Sequence, residues 1–278
     1  MALAKAGEVE LSYERSGNGP PLLMIMGLGG TFAHWDERFL EGLRRDHEVI
    51  IYDHRGVGES TRVTQPFTIA QLAEDASALL EALGIGSAHV LGFSMGGMVA
   101  QELALRHPEQ IDRLVLASTY CGGEASKRSR STAIKRLAEA GASGDRALAT
   151  QVAWEINVSP EFAKNEQARE RFFEIASRRR VAFVVLRAQV NAIMAHDTSE
   201  RLPSLTLCTL VVHGTADEMV LVANGRLIAD LIPDSRLEIL DGRGHLFFWE
   251  APDDAAQLVL SHIGGGERDL ALGRADSA

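Results

Sequence analysis

Six short apolar runs set the strongest constraint on what this chain can become: Pro21 to Gly27, Glu48 to Asp53, Ala88 to Phe93, Arg113 to Ser118, Thr209 to Gly214 and Arg236 to Asp241. Most are apolar at consecutive rather than alternate positions, so both faces need covering, as in a parallel sheet held between layers of helices. Stretches with helical spacing separate them. From Thr68 to Gly84, the residues Ile69, Leu72, Ala76, Leu79, Leu80 and Leu83 recur at helical intervals, and Thr68 with Gln71 matches a capping box. Two further helices are expected. One runs from Met95 to Arg106 and stops at His107 and Pro108; the other runs from Ala251 to Ile263, with Pro252 in its first turn and glycines at its end. Alternation of strand and helix through most of 278 residues selects an α/β architecture, a doubly wound, mostly parallel sheet with reactive groups at the carboxyl ends of its strands.

The alternation is interrupted once. From Cys121 to Leu205 there are helical patterns, such as Ser131 to Ala140 and Gln167 to Ala192, but no strand pattern. The expected organisation is therefore a core made of 1–120 and 206–263, a helical insertion over 121–205, and a mobile tail over 264–278 that opens with three glycines. Hydrophobic residues make up 46% and charged residues 24%, values typical of a globular chain that folds by itself. The net charge of -10 opposes binding to nucleic acid or anionic lipid, and no apolar stretch reaches the ~18 residues needed to cross a bilayer. With no signal-like amino terminus, the expectation is a cytoplasmic protein that acts on a small molecule. Cys121 and Cys208 stand far apart without metal-ligand spacing and read as buried thiols.

The sharpest chemical signal is Gly92-Phe93-Ser94-Met95-Gly96-Gly97, a G-x-S-x-G pattern where an apolar strand ends and a helix begins. A serine on so tight a turn is lifted above the sheet with its hydroxyl exposed, and the glycines let the backbone pass closely. The alternative is a glycine-rich turn that only packs a helix on a strand. Serine needs a base to become a nucleophile, and that base needs an acceptor to hold its tautomer. His245 alone among the nine histidines lies late in the chain in a glycine-flanked loop, Gly242-Arg243-Gly244-His245, directly after an expected strand. Asp217 follows the strand Thr209 to His213, with Glu218 as a neighbouring competitor and capping as its structural alternative. The order Ser, Asp, His suits a sheet that carries this serine turn. Backbone amides of Met95 and of Leu28, in the glycine-rich turn Met26-Gly27-Leu28-Gly29-Gly30, are the expected oxyanion donors. This chemistry calls for no metal and no cofactor.

These motifs together resemble the α/β-hydrolase superfamily over residues 8 to 263. Members carry D-x-R-G-x-G-x-S, present as Asp53-His54-Arg55-Gly56-Val57-Gly58-Glu59-Ser60, and a Glu-x-Pro downstream of the histidine, present as Glu250-Ala251-Pro252. Met26 stands where most relatives have histidine, which leaves only the backbone role at that turn. The resemblance implies a cap formed by 121–205, with Trp154, Phe183 and Met194 above the substrate and Phe32, Met95 and Phe247 below it. The chain is also similar to 3-oxoadipate enol-lactonase-like hydrolases, which implies a carboxylic ester or lactone substrate. An anionic one would be drawn by Arg178, Arg179, Arg180 and Arg187, unless these simply form a solvated helix face. Cofactor-free haloperoxidases, C–C bond hydrolases and a non-catalytic ligand receptor share the scaffold and remain as alternatives.

Overall fold

The computed structural model describes residues 1–127, 132–178 and 181–264. Two strands at the amino terminus, β1 (Ala2–Ala6) and β2 (Val9–Ser16), form an antiparallel hairpin, followed by β3 (Pro21–Ile25), α1 (Glu37–Arg44), β4 (Glu48–Tyr52), α2 (Ile69–Ala82), β5 (Ala88–Phe93), α3 (Met95–Arg106) and β6 (Ile111–Ala117). Four helices come next: α4 (Thr132–Ala142), α5 (Arg146–Asn157), α6 (Glu166–Arg178) and α7 (Phe183–Ala195). The chain then completes its sheet with β7 (Thr209–Gly214), α8 (Val222–Leu231) and β8 (Ser235–Leu240), and closes with α9 (Phe247–Glu250) and α10 (Pro252–Ile263). The eight strands stand in the order β1-β2-β4-β3-β5-β6-β7-β8; β2 is antiparallel to both neighbours, and every pair from β4 to β8 is parallel.

Period-two alternation divides the strands between two cores. Leu23, Ile25, Ile50, Tyr52, Val90, Leu114, Leu116 and Val211 face the side packed by α2, α3 and α8. Leu22, Met24, Val49, Ile51, Leu91, Val115, Leu210 and Val212 face the opposite side, where α1 and α10 lie. All six apolar runs became strands for this reason, and covering both faces is what makes them read as continuously apolar. The expected capping box starts α2: Thr68 Oγ1 accepts the Gln71 N–H at 3.1 Å, and Gln71 Oε1 accepts the Thr68 N–H at 2.9 Å.

Two features differ from the expectation. The hairpin of β1 and β2 was absent from the expected strands because its sequence, ALAKA and VELSYERS, mixes polar with apolar residues as an edge does. The pattern from Gln167 to Ala192 is not one helix but two, with Val181 and Ala182 outside helical conformation. The aromatic residues of α6 pack around Trp154 and Trp249, whereas Ala188 and Ala192 of α7 join the core of α2 and α3, and one straight rod cannot serve both places. Among the described residues no strand lies between β6 and β7, and no helix is long and apolar enough to cross a membrane. Ser131 and residues 265–278, most of the expected tail, lie outside the described residues. Cys121 is buried and Cys208 partly exposed, and both are free thiols.

Thr68→Ala removes the Oγ1 half of the α2 cap and leaves the backbone N–H of position 68 on Gln71 Oε1. It should destabilise the fold by about 1 kcal/mol, which for a chain of this size lowers Tm by about 2 to 4 °C; an unchanged calorimetric Tm would show that the cap contributes nothing.

Candidate active site

Ser94 links β5 directly to α3 and has φ 56° and ψ -119°, a backbone conformation that L-residues rarely adopt. The turn is held on both sides. Its N–H donates to Ala117 O at 2.9 Å, and its carbonyl accepts the Thr119 hydroxyl at 2.7 Å and the Gly97 N–H at 2.9 Å. The flanking glycines are sterically required. A Cβ at Gly92 would lie 2.4 Å from Gly96 O, and one at Gly96 would lie 2.0 Å from Ile25 O. Strain of about 1 to 3 kcal/mol at such a residue persists only where the surroundings over-determine it, and it marks a candidate functional position.

Asp217 lies beyond β7, fully buried, with all its acceptor capacity engaged. Oδ1 accepts the N–H groups of Met219 at 2.9 Å and Val220 at 2.8 Å. Oδ2 lies 2.7 Å from His245 Nδ1 and 3.3 Å from His213 Nε2, which is bonded to Val220 O at 2.7 Å. Burial raises the carboxyl pKa, but the charge attraction and hydrogen bond of His245, with the His213 imidazole close by, outweigh it and hold the group at about 2. The carboxylate is thus an acceptor at any ordinary pH, so His245 Nδ1 must carry the hydrogen and Nε2 is left as the free base nitrogen of the neutral ring. The capping alternative is realised as well, since Oδ1 closes the turn that follows. Glu218, the competitor, is exposed to solvent.

His245 is 3% exposed and is reached from three elements. Its ring packs on Phe93, the residue before Ser94, with centroids 4.8 Å apart. Its carbonyl accepts the Ser118 hydroxyl at 3.2 Å; Ser118 follows β6 and is, with Ser94, one of two non-glycine residues with positive φ among those described. Glu250 of the Glu-x-Pro motif fastens the loop: Oε1 accepts the N–H groups of Gly244 and Ser159, each at 2.8 Å, and Oε2 accepts the Ser159 hydroxyl at 2.7 Å. Leu246 N–H donates to Asn157 O at 2.7 Å, so the loop is tied to the end of α5 twice.

The turn after β3 runs against the serine. A Cβ at Gly27 would lie 3.0 Å from Ser94 Cβ. This turn is braced at each end: His54 Nε2 donates to Met26 O at 2.9 Å, Phe32 N–H donates to Asp53 Oδ1 at 2.7 Å, and Gly29 N–H donates to Gln189 Oε1 at 2.9 Å. Burial lowers the pKa of His54 and keeps it neutral, so its one N–H is the one that reaches Met26 O. Leu28 and Met95 have no backbone acceptor for their N–H groups among the described residues; Met95 is the first residue of α3, where such amides are always left over.

Six substrate contacts are expected, Phe32, Met95, Trp154, Phe183, Met194 and Phe247; Met95 is fully buried at the start of α3. Phe32 is buried beside the turn. Trp154 is fully buried, its ring against Phe162, Phe172 and Trp249 and its N–H on Ala163 O at 3.1 Å, which makes it the core of the helical segment. Phe247 packs on Phe248 and edges a depression of about 310 Å³ beside β8 and α10, whose lining includes neither Ser94 nor Asp217 nor His245. Phe183 and Met194 are exposed, 79% and 52%, because helical spacing turns them to the side of α7 opposite its buried residues Val185, Ala188, Gln189 and Ala192. Arg187 shares that outward side, and Arg178 pairs at the surface with Glu174 at 2.6 Å; Arg179 and Arg180 lie outside the described residues. The solvated-face alternative therefore describes Arg178 and Arg187. Gln189, Ser118, His213 and Ser159 were not anticipated, since each reaches the site from an element whose proximity local sequence does not reveal.

Comparison with known proteins agrees with this architecture. The family model described as alpha/beta hydrolase fold matches residues 20–136. A protein of Azorhizobium caulinodans named putative carbamate hydrolase RutD is 31% identical over 267 residues, covering 95% of this chain and 98% of its own. Among solved structures, a hydrolase from Pseudomonas aeruginosa PA01 superposes with a TM-score of 0.81 at 32% identity, covering 95% of this chain and 98% of that one. The enol-lactonase from Burkholderia xenovorans LB400 superposes with a TM-score of 0.82 at 26% identity, covering 95% and 100%. With its mostly parallel sheet, its serine turn and this relationship along nearly its whole length, the chain belongs to the α/β-hydrolase family.

Proposed function

We propose that this protein hydrolyses a carboxylic ester or lactone with Ser94 as nucleophile, His245 as general base and Asp217 as the orienting carboxylate. The observation that carries the reading is a strained serine at a strand-to-helix turn whose preceding residue packs on an imidazole already held by a buried carboxylate at 2.7 Å. His245 Nε2 takes the Ser94 proton as Oγ bonds to the substrate carbonyl carbon, and the resulting oxyanion accepts the Leu28 and Met95 N–H groups. Collapse breaks the bond to the alcohol oxygen, which leaves with the proton from His245. Water then adds to the acyl-enzyme by the same route, returning Ser94 and releasing the acid. Asp217 stays ionised throughout and steadies the imidazolium.

The helical segment 121–205 acts in this reading as a cap. Its support is direct contact with both loops of the site, through Gln189 on Gly29 and through Asn157 and Ser159 on the His245 loop. A second reading, cleavage of a carbamate, is favoured by the name of the Azorhizobium relative; it uses the same nucleophile and differs in the nitrogen attached to the carbonyl.

A fluorophosphonate should label Ser94 stoichiometrically, and Ser94→Ala should abolish labelling and lower turnover by about five to six powers of ten with the fold intact. Near-normal turnover in that variant refutes the mechanism, and an absence of any acyl-enzyme burst with p-nitrophenyl acetate favours a non-catalytic receptor. Asp217→Asn reverses the tautomer of His245 and should lower kcat about 10⁴-fold; a loss below tenfold would remove Asp217 from the triad. Matched p-nitrophenyl esters and N-methylcarbamates separate the two substrate readings, with faster steady-state turnover of the esters expected.

A further inference from the structure

Helix α7 meets the turn after β3 at one polar point. Gln189 Oε1 accepts the Gly29 N–H at 2.9 Å, and because the partner is a donor, the amide orientation is settled: oxygen toward Gly29, nitrogen away from it. The side chain is wholly buried, and Nε2 has no acceptor among the described residues. Buried amide groups are nearly always paired, so an unpaired one needs an explanation. Packing alone does not supply it. Ala188 and Ala192 pack α7 on the core with no polar group, and Leu186 already presses on the turn, where a Cβ at Gly29 would lie 2.8 Å from its Cδ2.

Placement supplies it. Gly29 follows Leu28, the proposed oxyanion donor, and stands two residues from Gly27, which abuts Ser94; the Gln189 amide is thus bonded to the residue next to that donor. We propose that Gln189 determines specificity at the Ser94 site, with Oε1 fixing the oxyanion turn through Gly29 and Nε2 donating a hydrogen bond to a second oxygen of the substrate close to its reacting carbonyl. This rests on the serine-hydrolase reading above and deepens it: the favoured substrates are acyl compounds with an ether, hydroxyl or carbonyl oxygen one or two atoms from the carbonyl carbon, over plain alkyl esters. One side chain of the helical segment thereby both supports the turn and reads the substrate.

The test compares p-nitrophenyl methoxyacetate with p-nitrophenyl butyrate, which share a leaving group and chain length and differ by one oxygen in place of one methylene. Intrinsic reactivity cancels when the ratio of their kcat/KM values is compared between wild type, Gln189→Glu and Gln189→Met. Glutamate keeps an acceptor for Gly29 but has no amide N–H; methionine has neither. The ratio should fall about tenfold in both variants, and Gln189→Met should also lower kcat on both esters about tenfold, a loss that Gln189→Glu largely rescues. An unchanged ratio in both variants overturns the proposal. Labelling of Ser94 by fluorophosphonate keeps the two readings apart: an unlabelled wild type refutes the serine mechanism itself, whereas a labelled wild type with unchanged ratios refutes the role of Gln189 alone. If the variants fail to fold, a structure of wild type carrying a methoxymethyl phosphonate on Ser94 decides, with Nε2 within about 3.2 Å of the ether oxygen expected and a separation beyond about 4 Å overturning it.

Discussion

Everything at the site depends on how closely the backbone passes itself where β5 becomes α3. Gly92, Gly96 and Gly97 each stand where a Cβ would collide, with Gly96 O, with Ile25 O and with the Thr119 side chain. Only that contact lets the first turn of α3 sit against the end of β3, and Ser94 is left at the corner in a conformation it would not choose. The same contact draws the turn after β3 alongside the serine, so the strained residue and the proposed oxyanion donors share one cause.

A second constraint is electrostatic. A carboxylate as deeply buried as Asp217 is expensive unless its oxygens are satisfied. Here two backbone N–H groups and the His245 imidazole do so, with His213 Nε2 3.3 Å away, and the balance favours the charged form strongly enough to hold its pKa at about 2. Room for the second imidazole comes from α8, where Gly225 leaves space against His213. The acceptor beside His245 Nδ1 is therefore ionised at neutral pH, as the general-base role proposed for that imidazole requires.

The helical segment between β6 and β7 is bound to the core at the loops that matter. Gln189 holds the turn after β3, Ser159 and Asn157 hold the His245 loop, and Arg171 bonds Asp36 at 2.8 Å at the start of α1. Any rearrangement of this segment during substrate entry would act on both loops at once. Its aromatic interior, Trp154 with Phe162, Phe172 and Trp249, anchors it to α9 rather than offering a surface to substrate.

The sequence by itself determined the six strands from β3 to β8 and nominated the candidate triad. Doubly covered strands must be apolar at consecutive positions, and a serine turn this tight must be flanked by glycines, so both leave local signatures. Spacing put Asp217 ahead of Glu218; in the fold Asp217 is buried beside His245 and Glu218 is exposed. The edge strand β1 with its neighbour β2, and the break between α6 and α7, left weaker signatures, because the rim of a sheet tolerates polar residues and a helix pattern does not record which core it faces. Tertiary structure alone decided that Gln189, His213, Ser118 and Ser159 stand at the site, and that Trp154, Phe183, Met194 and Phe247 turn elsewhere. Those placements arise from long-range packing, where a side chain's neighbours are set by how elements distant in sequence meet, and no local pattern encodes that.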